Sequence, residues 1–164
     1  MYDAVREAAR KVAPQIFESM FFTSLVASDH CRRDAPLFFA PPVIQSEIGF
    51  QGKYDGKMRL SLPWDLAKKI AINFMGLSDS EIPETQVMDA MGELCNIICG
   101  NLFVGSDKKT SYALTIPKTR FVSIKEAGAP ASRRGFALGF VAQSHLVRLD
   151  IRIDTMSRKG RGHR

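Results

Sequence analysis

The segment H-L-V-R-L-D-I-R-I-D, residues 145–154, alternates strictly between apolar and charged side chains from Val147 onward. The apolar members are Val147, Leu149, Ile151 and Ile153, and the charged members are Arg148, Asp150, Arg152 and Asp154. Successive side chains of a β-strand point to opposite faces of the sheet, so this period of two predicts a strand. One face should lie on a hydrophobic core and the other in water, as is common in antiparallel sheets.

Other segments predict further elements on either side of this strand. Extended or alternating patterns predict strands at about 43–50, 57–62, 112–116, 119–124 and 135–143. Apolar residues at helical spacing predict helices from Asp3 to about Ser28, from Trp64 to Met75 and from Glu84 to about Val104. Pro14 is expected to kink or divide the first helix. The element order predicts an α+β fold, with an antiparallel-rich mixed sheet of about six strands packed with helices.

The chain length of 164 residues favours a single domain with short ends. We predict that residues 1–154 form this domain and that residues 155–164 form a basic, disordered tail. The tail holds four basic residues and no acid, so four of the six net positive charges lie there. The body of the chain is therefore close to electrically balanced, and we expect no nucleic-acid partner.

The remaining composition argues against membrane insertion, a disulfide framework and a metal site. No stretch approaches the ~20 apolar residues of a membrane helix, and the first residues lack a signal-peptide pattern, so a cytoplasmic location is expected. The three cysteines, Cys31, Cys95 and Cys99, are an odd number. Because Cys95 and Cys99 have no nearby His or second Cys pair, we expect buried thiols and no bound metal.

The helix over residues 87–102, V-M-D-A-M-G-E-L-C-N-I-I-C-G-N-L, holds the candidate functional residues. At about 100° per residue, its large apolar side chains gather on one side. The residues Asp89, Glu93, Asn96 and Gly100 fall within about 60° of one another on the opposite side. The helix should therefore be anchored by one face and display the other.

Three residues on or beside the displayed side are poor helix formers. Gly92 and Gly100 each cost about 1 kcal/mol relative to Ala, and Asn96 costs somewhat more than half of that. Departures of this kind occur most often where function or close packing requires them. Two interpretations stay open: the small residues let the backbone of a partner approach, or they serve packing inside the protein and Glu93 is an ordinary solvated side chain.

The same helix resembles those of the CheC/CheX/FliY phosphatase family. The family motif is an acidic residue or Ser, three residues, Glu, two residues and Asn, followed by Pro a little over twenty residues later. The matching residues are Asp89, Glu93, Asn96 and Pro117. The helix Trp64–Met75 has no Glu followed three residues later by Asn, so one motif is present, as in CheX and unlike CheC. The resemblance spans about residues 3–154 and implies a CheC-like fold.

The resemblance implies a phosphatase for the aspartyl phosphate of a CheY-like response regulator, in chemotaxis or another two-component pathway. Asn96 would position the attacking water, and Glu93 would dock the active-site Lys of the regulator. Asp89, Gly92 and Gly100 would be further partner-binding residues. Mg²⁺ is expected on the regulator, no cofactor is expected on this chain, and a homodimer is expected. The alternative is a non-catalytic module of the same fold that binds a receiver or a flagellar-switch protein.

Overall fold

The computed structural model describes residues 2–28, 40–78, 81–104, 111–130 and 132–156, which contain four helices and seven strands. The helices are α1 (Tyr2–Phe21), α2 (Trp64–Met75), α3 (Glu84–Leu102) and α4 (Ile124–Ala127). The strands are β1 (Val26–Ser28), β2 (Val43–Gln51), β3 (Tyr54–Pro63), β4 (Ala113–Leu114), β5 (Lys118–Val122), β6 (Gly135–Ala142) and β7 (His145–Met156). The predicted α+β class is confirmed.

The described strands form one sheet, in the order β1-β6-β7-β3-β2, and both β4 and β5 pair with the far side of β2. All of these pairings are antiparallel. The alternating segment at 145–154 lies in β7, between β6 and β3. Its side chains Val147, Leu149, Ile151 and Ile153 are at most 2% exposed. They join a single large core with the side chains of α1, α2 and α3.

The opposite face of the sheet is polar and charged. Glu47 of β2 forms ion pairs with Lys57 (2.7 Å) and Arg59 (2.5 Å) of β3. In β7, Arg148 pairs with Asp150 at 2.7 Å. The sheet therefore packs one face against α1, α2 and α3 and has a polar opposite face, as the pattern predicted. That second face does not lie wholly in water, however, because Arg148 is buried there and bonds to the segment after α4.

The end of α1 differs from the prediction. The helix ends at Phe21, not near Ser28, because Phe22 takes a left-handed conformation with φ of 52°. The backbone N–H of Thr23 then donates to the Phe17 carbonyl oxygen at 2.9 Å, which closes the helix and frees the chain to form β1. Pro14 lies inside the continuous helix and does not divide it.

The second half of the chain also differs in detail. The short helix α4 was not predicted; the Ser123 hydroxyl oxygen caps it by accepting from the Glu126 N–H at 3.1 Å. Strand β4 has two residues, where the sequence predicted a strand over 112–116. Strand β7 extends to Met156, two residues into the predicted tail, because β3 continues to pair with it as far as Tyr54. The rest of the predicted tail, 157–164, lies outside the described residues.

Candidate functional site

Helix α3 carries the polar stripe that the sequence singled out. Its buried side packs into the core through Val87, Ala90, Met91, Leu94, Cys95, Ile98, Cys99 and Leu102. The Cys95 thiol also donates to the Ser46 carbonyl oxygen at 3.6 Å, which links the helix to β2. Glu93 is exposed and Asn96 is partly exposed on the other side of the helix. The helix is continuous and displays both residues, as the helical spacing predicted.

A groove of about 500 Å³ runs along the displayed side of α3. One wall belongs to α3 and consists of Met88, Asp89, Gly92, Glu93 and Asn96. The other wall lies between β4 and the start of β5 and consists of Leu114, Thr115, Ile116, Pro117 and Thr119. Four of the five residues singled out on the helix therefore line one groove, and Pro117 lines it too. Gly100 does not belong to its lining.

The wall opposite α3 is held in place by hydrogen bonds to β2. The Thr115 N–H donates to the Gly49 carbonyl oxygen at 3.0 Å, and the Gly49 N–H donates to the Thr115 hydroxyl oxygen at 2.8 Å. Farther along, the hydroxyl oxygens of Thr119 and Ser46 lie 2.7 Å apart and share a hydrogen bond. The groove is therefore bounded by a packed helix on one side and by an anchored segment on the other.

The polar side chains on the α3 wall of the groove are available for an outside partner. Among the described residues, the side chains of Asp89, Glu93 and Asn96 have no hydrogen-bond or ion-pair partner. A carboxylate accepts hydrogen bonds and attracts cations, whereas an amide both accepts with its oxygen and donates with its nitrogen. The site can therefore hold a positively charged group at Glu93 and orient a small polar molecule at Asn96.

Packing inside the protein does not require either helical glycine. A Cβ at Gly92 would lie 3.5 Å from Thr119 Oγ1 and 3.6 Å from Pro117 Cβ, which are ordinary van der Waals contacts. A Cβ at Gly100 would lie 3.8 Å from Leu114 Cδ1. The interpretation that close internal packing demands these glycines therefore does not hold. At Gly92 the missing side chain instead leaves the groove open beside the α3 backbone.

The cysteines of α3 are part of the core and not of the groove. Cys95 and Cys99 are fully buried, as predicted, and Cys31 lies outside the described residues. Burial raises the pKa of the Cys95 thiol well above its ordinary value and that of Cys99 to about 12. Both thiols are therefore protonated and unreactive at neutral pH. Within the described ranges, no three His, Cys, Asp or Glu side chains are grouped so that they would bind a metal.

Sequence reasoning missed one prominent residue of the groove. It placed Ile116 at the end of a strand, whereas the side chain is 85% exposed on the wall opposite α3. The available signal was Pro117, because a proline lacks the N–H that a central strand would use. Met88 and Thr119 also line the groove and were not proposed.

A second, smaller cavity of about 170 Å³ lies on the charged face of the sheet. Among its lining residues are Lys57, Arg59 and Asp150. The pKa of Asp150 lies above its ordinary value, because the effect of burial outweighs the lowering effect of the Arg148 charge. The Arg148 guanidinium is 3% exposed and also donates to the Ala127 and Ala129 carbonyl oxygens, at 3.2 and 2.7 Å. This cluster fastens the segment after α4 to the sheet.

None of the helices in the described ranges is long and apolar enough to cross a membrane.

The comparisons with known proteins converge on one family. The family model described as "Chemotaxis phosphatase CheX" matches residues 44–138, more than half of the chain, including α3 and both walls of the groove. No curated protein sequence matches the chain significantly. The family match rests on the region that contains the candidate site.

Solved structures share the fold over nearly their whole length. CheX from Desulfovibrio desulfuricans has a TM-score of 0.69 and 13% identity, with 92% of this chain and 99% of that chain covered. A CheC-like protein from Shewanella sp. PV-4 has a TM-score of 0.71 and 17% identity, with 94% and 100% covered. The CheX–CheY–BeF₃–Mg²⁺ complex from Borrelia burgdorferi has a TM-score of 0.67 and 15% identity, with 92% and 98% covered. The CheC-like fold is thereby confirmed.

Proposed function

Because the chain belongs to the chemotaxis phosphatase CheX family, we propose that it hydrolyses the aspartyl phosphate of a CheY-like response regulator. The observation that carries this proposal is the pair Glu93 and Asn96, side by side on one groove and without partners among the described residues. The Borrelia burgdorferi CheX has been solved with CheY, BeF₃ and Mg²⁺. A receiver domain is therefore the partner class that we propose for this groove.

Asn96 is the residue that we assign to the chemical step. In the hydrolysis of an aspartyl phosphate, a water oxygen bonds to phosphorus as the bond from phosphorus to the Asp oxygen breaks. The products are inorganic phosphate and a free Asp carboxylate. The reaction needs an aligned water and stabilised charge, without a covalent enzyme intermediate. The Asn96 amide oxygen accepts a hydrogen bond from that water, and its nitrogen donates to an oxygen of the transferred group.

Glu93 is the residue that we assign to docking. It precedes Asn96 by three positions on α3, so the two Cβ atoms are neighbours on one face, about 5–6 Å apart. The Glu93 carboxylate pairs with the active-site Lys of the regulator and thereby sets the distance between Asn96 and the phosphoryl group. Asp89 adds a second carboxylate one turn earlier and strengthens the attraction for a cationic group. The Mg²⁺ that neutralises the phosphoryl group belongs to the regulator.

Phosphate release from phosphorylated receiver domains separates this enzyme from a binding module of the same fold. Receivers are phosphorylated in the presence of Mg²⁺, and inorganic phosphate is followed with and without a substoichiometric amount of this protein. We expect many turnovers per molecule. Binding to a BeF₃-loaded receiver without faster phosphate release would identify the non-catalytic alternative.

A further inference from the structure

Ile116 stands out among the apolar side chains at the surface. It is 85% exposed, the highest value among the large hydrophobic residues that the structure describes. A single exposed apolar residue is ordinary in a folded protein. The position of Ile116 is not ordinary, because it lies on the groove that Glu93 and Asn96 also line, on the opposite wall.

The backbone that carries Ile116 is held rigidly at the residue before it. Thr115 exchanges two hydrogen bonds with Gly49, at 3.0 and 2.8 Å. On the other side, the Pro117 ring restricts its own φ angle. Ile116 is therefore presented outward by a fixed backbone, so that little conformational entropy is lost when a partner covers it.

We propose that Ile116 is an apolar anchor that the response regulator buries when it docks, a role that rests on the proposed function. Because Ile116 and the pair Glu93 and Asn96 line one groove, a partner that contacts this pair also covers the opposite wall. In most interfaces a few well-packed, fully desolvated residues carry most of the binding energy. The regulator surface that faces Ile116 is therefore apolar and lies beside its phosphorylated Asp and its Lys. Ile116 selects among regulators, whereas Asn96 acts on the phosphoryl group common to them.

The test is the variant Ile116→Ser, assayed for binding to a BeF₃- and Mg²⁺-loaded receiver and for steady-state phosphate release. We expect Kd and KM to rise roughly tenfold, the effect of losing about 1.4 kcal/mol, with kcat unchanged at saturation. Ile116→Val should retain most of the affinity. Val26→Ser is the matched control, since Val26 is also an exposed aliphatic residue, at 62%, on β1 at the other edge of the sheet.

The outcomes distinguish this inference from the proposed function. If the unaltered protein neither binds nor dephosphorylates receiver domains, both are overturned. If it does both and Ile116→Ser has unchanged Kd and KM, the anchor is overturned and the proposed function stands. A fall in kcat with unchanged Kd would also overturn the anchor. Equal rises in Kd for Ile116→Ser and Val26→Ser would mean that any exposed aliphatic residue replaced by Ser weakens binding, and would overturn the anchor as well.

Discussion

Gly92→Ala should make the protein more stable and less active. In a partly exposed helix interior, Ala is favoured over Gly by about 0.8–1.0 kcal/mol. The added Cβ would contact Thr119 Oγ1 at 3.5 Å and Pro117 Cβ at 3.6 Å, without a clash. We therefore expect the free energy of unfolding to rise by about 1 kcal/mol, which corresponds to an increase in Tm of about 2–4 °C for a domain of this size.

The same methyl group would fill part of the groove, between Asp89 and Glu93 on one wall and Pro117 on the other. A partner that approaches the α3 backbone would have to shift, at a cost of about 1–2 kcal/mol, within the range for an overpacked contact. KM and the Kd for a BeF₃-loaded receiver should then rise about five- to thirty-fold. Urea unfolding and steady-state phosphate release, measured on the same preparation, check both halves of this prediction.

Gly100→Ala is the comparison variant. Its Cβ would also be accommodated, 3.8 Å from Leu114 Cδ1, so the gain in stability should be similar. Because Gly100 lies outside the groove lining, its substitution should raise KM less than Gly92→Ala does. A stabilised Gly92→Ala protein with wild-type KM would refute the reasoning. An equal rise in KM in the two variants would mean that the docking surface reaches the end of α3.

Three further predictions concern the rest of the molecule. Arg148→Ala should lower the free energy of unfolding by about 2–4 kcal/mol in urea titrations, because it leaves the mostly buried Asp150 carboxylate and two backbone carbonyl oxygens without their donor. Arg152→Ala, which removes an exposed ion pair with Asp154, should change the free energy of unfolding by less than about 0.5 kcal/mol. Burial raises the pKa of Glu47, but the hydrogen bonds and charges of Lys57 and Arg59 outweigh it, so the pKa lies below the ordinary 4.5. The stability that ionised Glu47 contributes is therefore present above pH 4.5 and is lost as the pH falls through the lowered pKa. Glu47→Gln should be less stable than wild type by about 0.5–1 kcal/mol at neutral pH and equally stable in strong acid. A difference in stability that persists in acid would contradict this. Sedimentation equilibrium at micromolar concentration should show a homodimer, and a mass of 18.2 kDa would contradict that expectation.

The elements with a strong apolar period could be predicted from the sequence. Strand β7 was predictable because its alternation is unbroken over residues 147–154, and α3 because its apolar residues recur at helical spacing over five turns. The end of α1 was not predictable in this way. Its stop depends on a left-handed Phe22, a conformation that a phenylalanine seldom adopts and for which the sequence carries no glycine or asparagine signal.

The helical half of the site was predictable, and the other half, apart from the motif residue Pro117, was not. Asp89, Gly92, Glu93 and Asn96 lie on one helix, where spacing alone determines that they share a face. The second wall depends on where segment 114–119 crosses α3, which is determined by long-range pairing of Thr115 and Thr119 with β2. Local sequence carries no information on that pairing. The sequence also could not show whether internal packing requires Gly92, because the nearest neighbours of its Cβ position, Thr119 and Pro117, are distant in the sequence.

The central claim is that Asn96 positions the attacking water, and it predicts that Asn96→Ala fails in the chemical step alone. Loss of an oriented polar group of this kind should lower kcat by roughly 10²–10³, with Kd for a BeF₃-loaded receiver nearly unchanged. Glu93→Ala should instead weaken docking and raise KM. Stability should not fall in Asn96→Ala, because Ala is the better helix former.

The matched control is the variant Asn101→Ala. Asn101 is an exposed residue of the same helix that does not line the groove, and its amide donates to the Ile97 carbonyl oxygen at 2.8 Å. The most direct measurement is single-turnover phosphate release from one phosphorylated receiver, with saturating wild-type, Asn96→Ala or Asn101→Ala protein. We predict that the rate of phosphate release falls by a factor of roughly 10²–10³ in Asn96→Ala and stays at the wild-type value in Asn101→Ala. Wild-type rates in Asn96→Ala would contradict the mechanism.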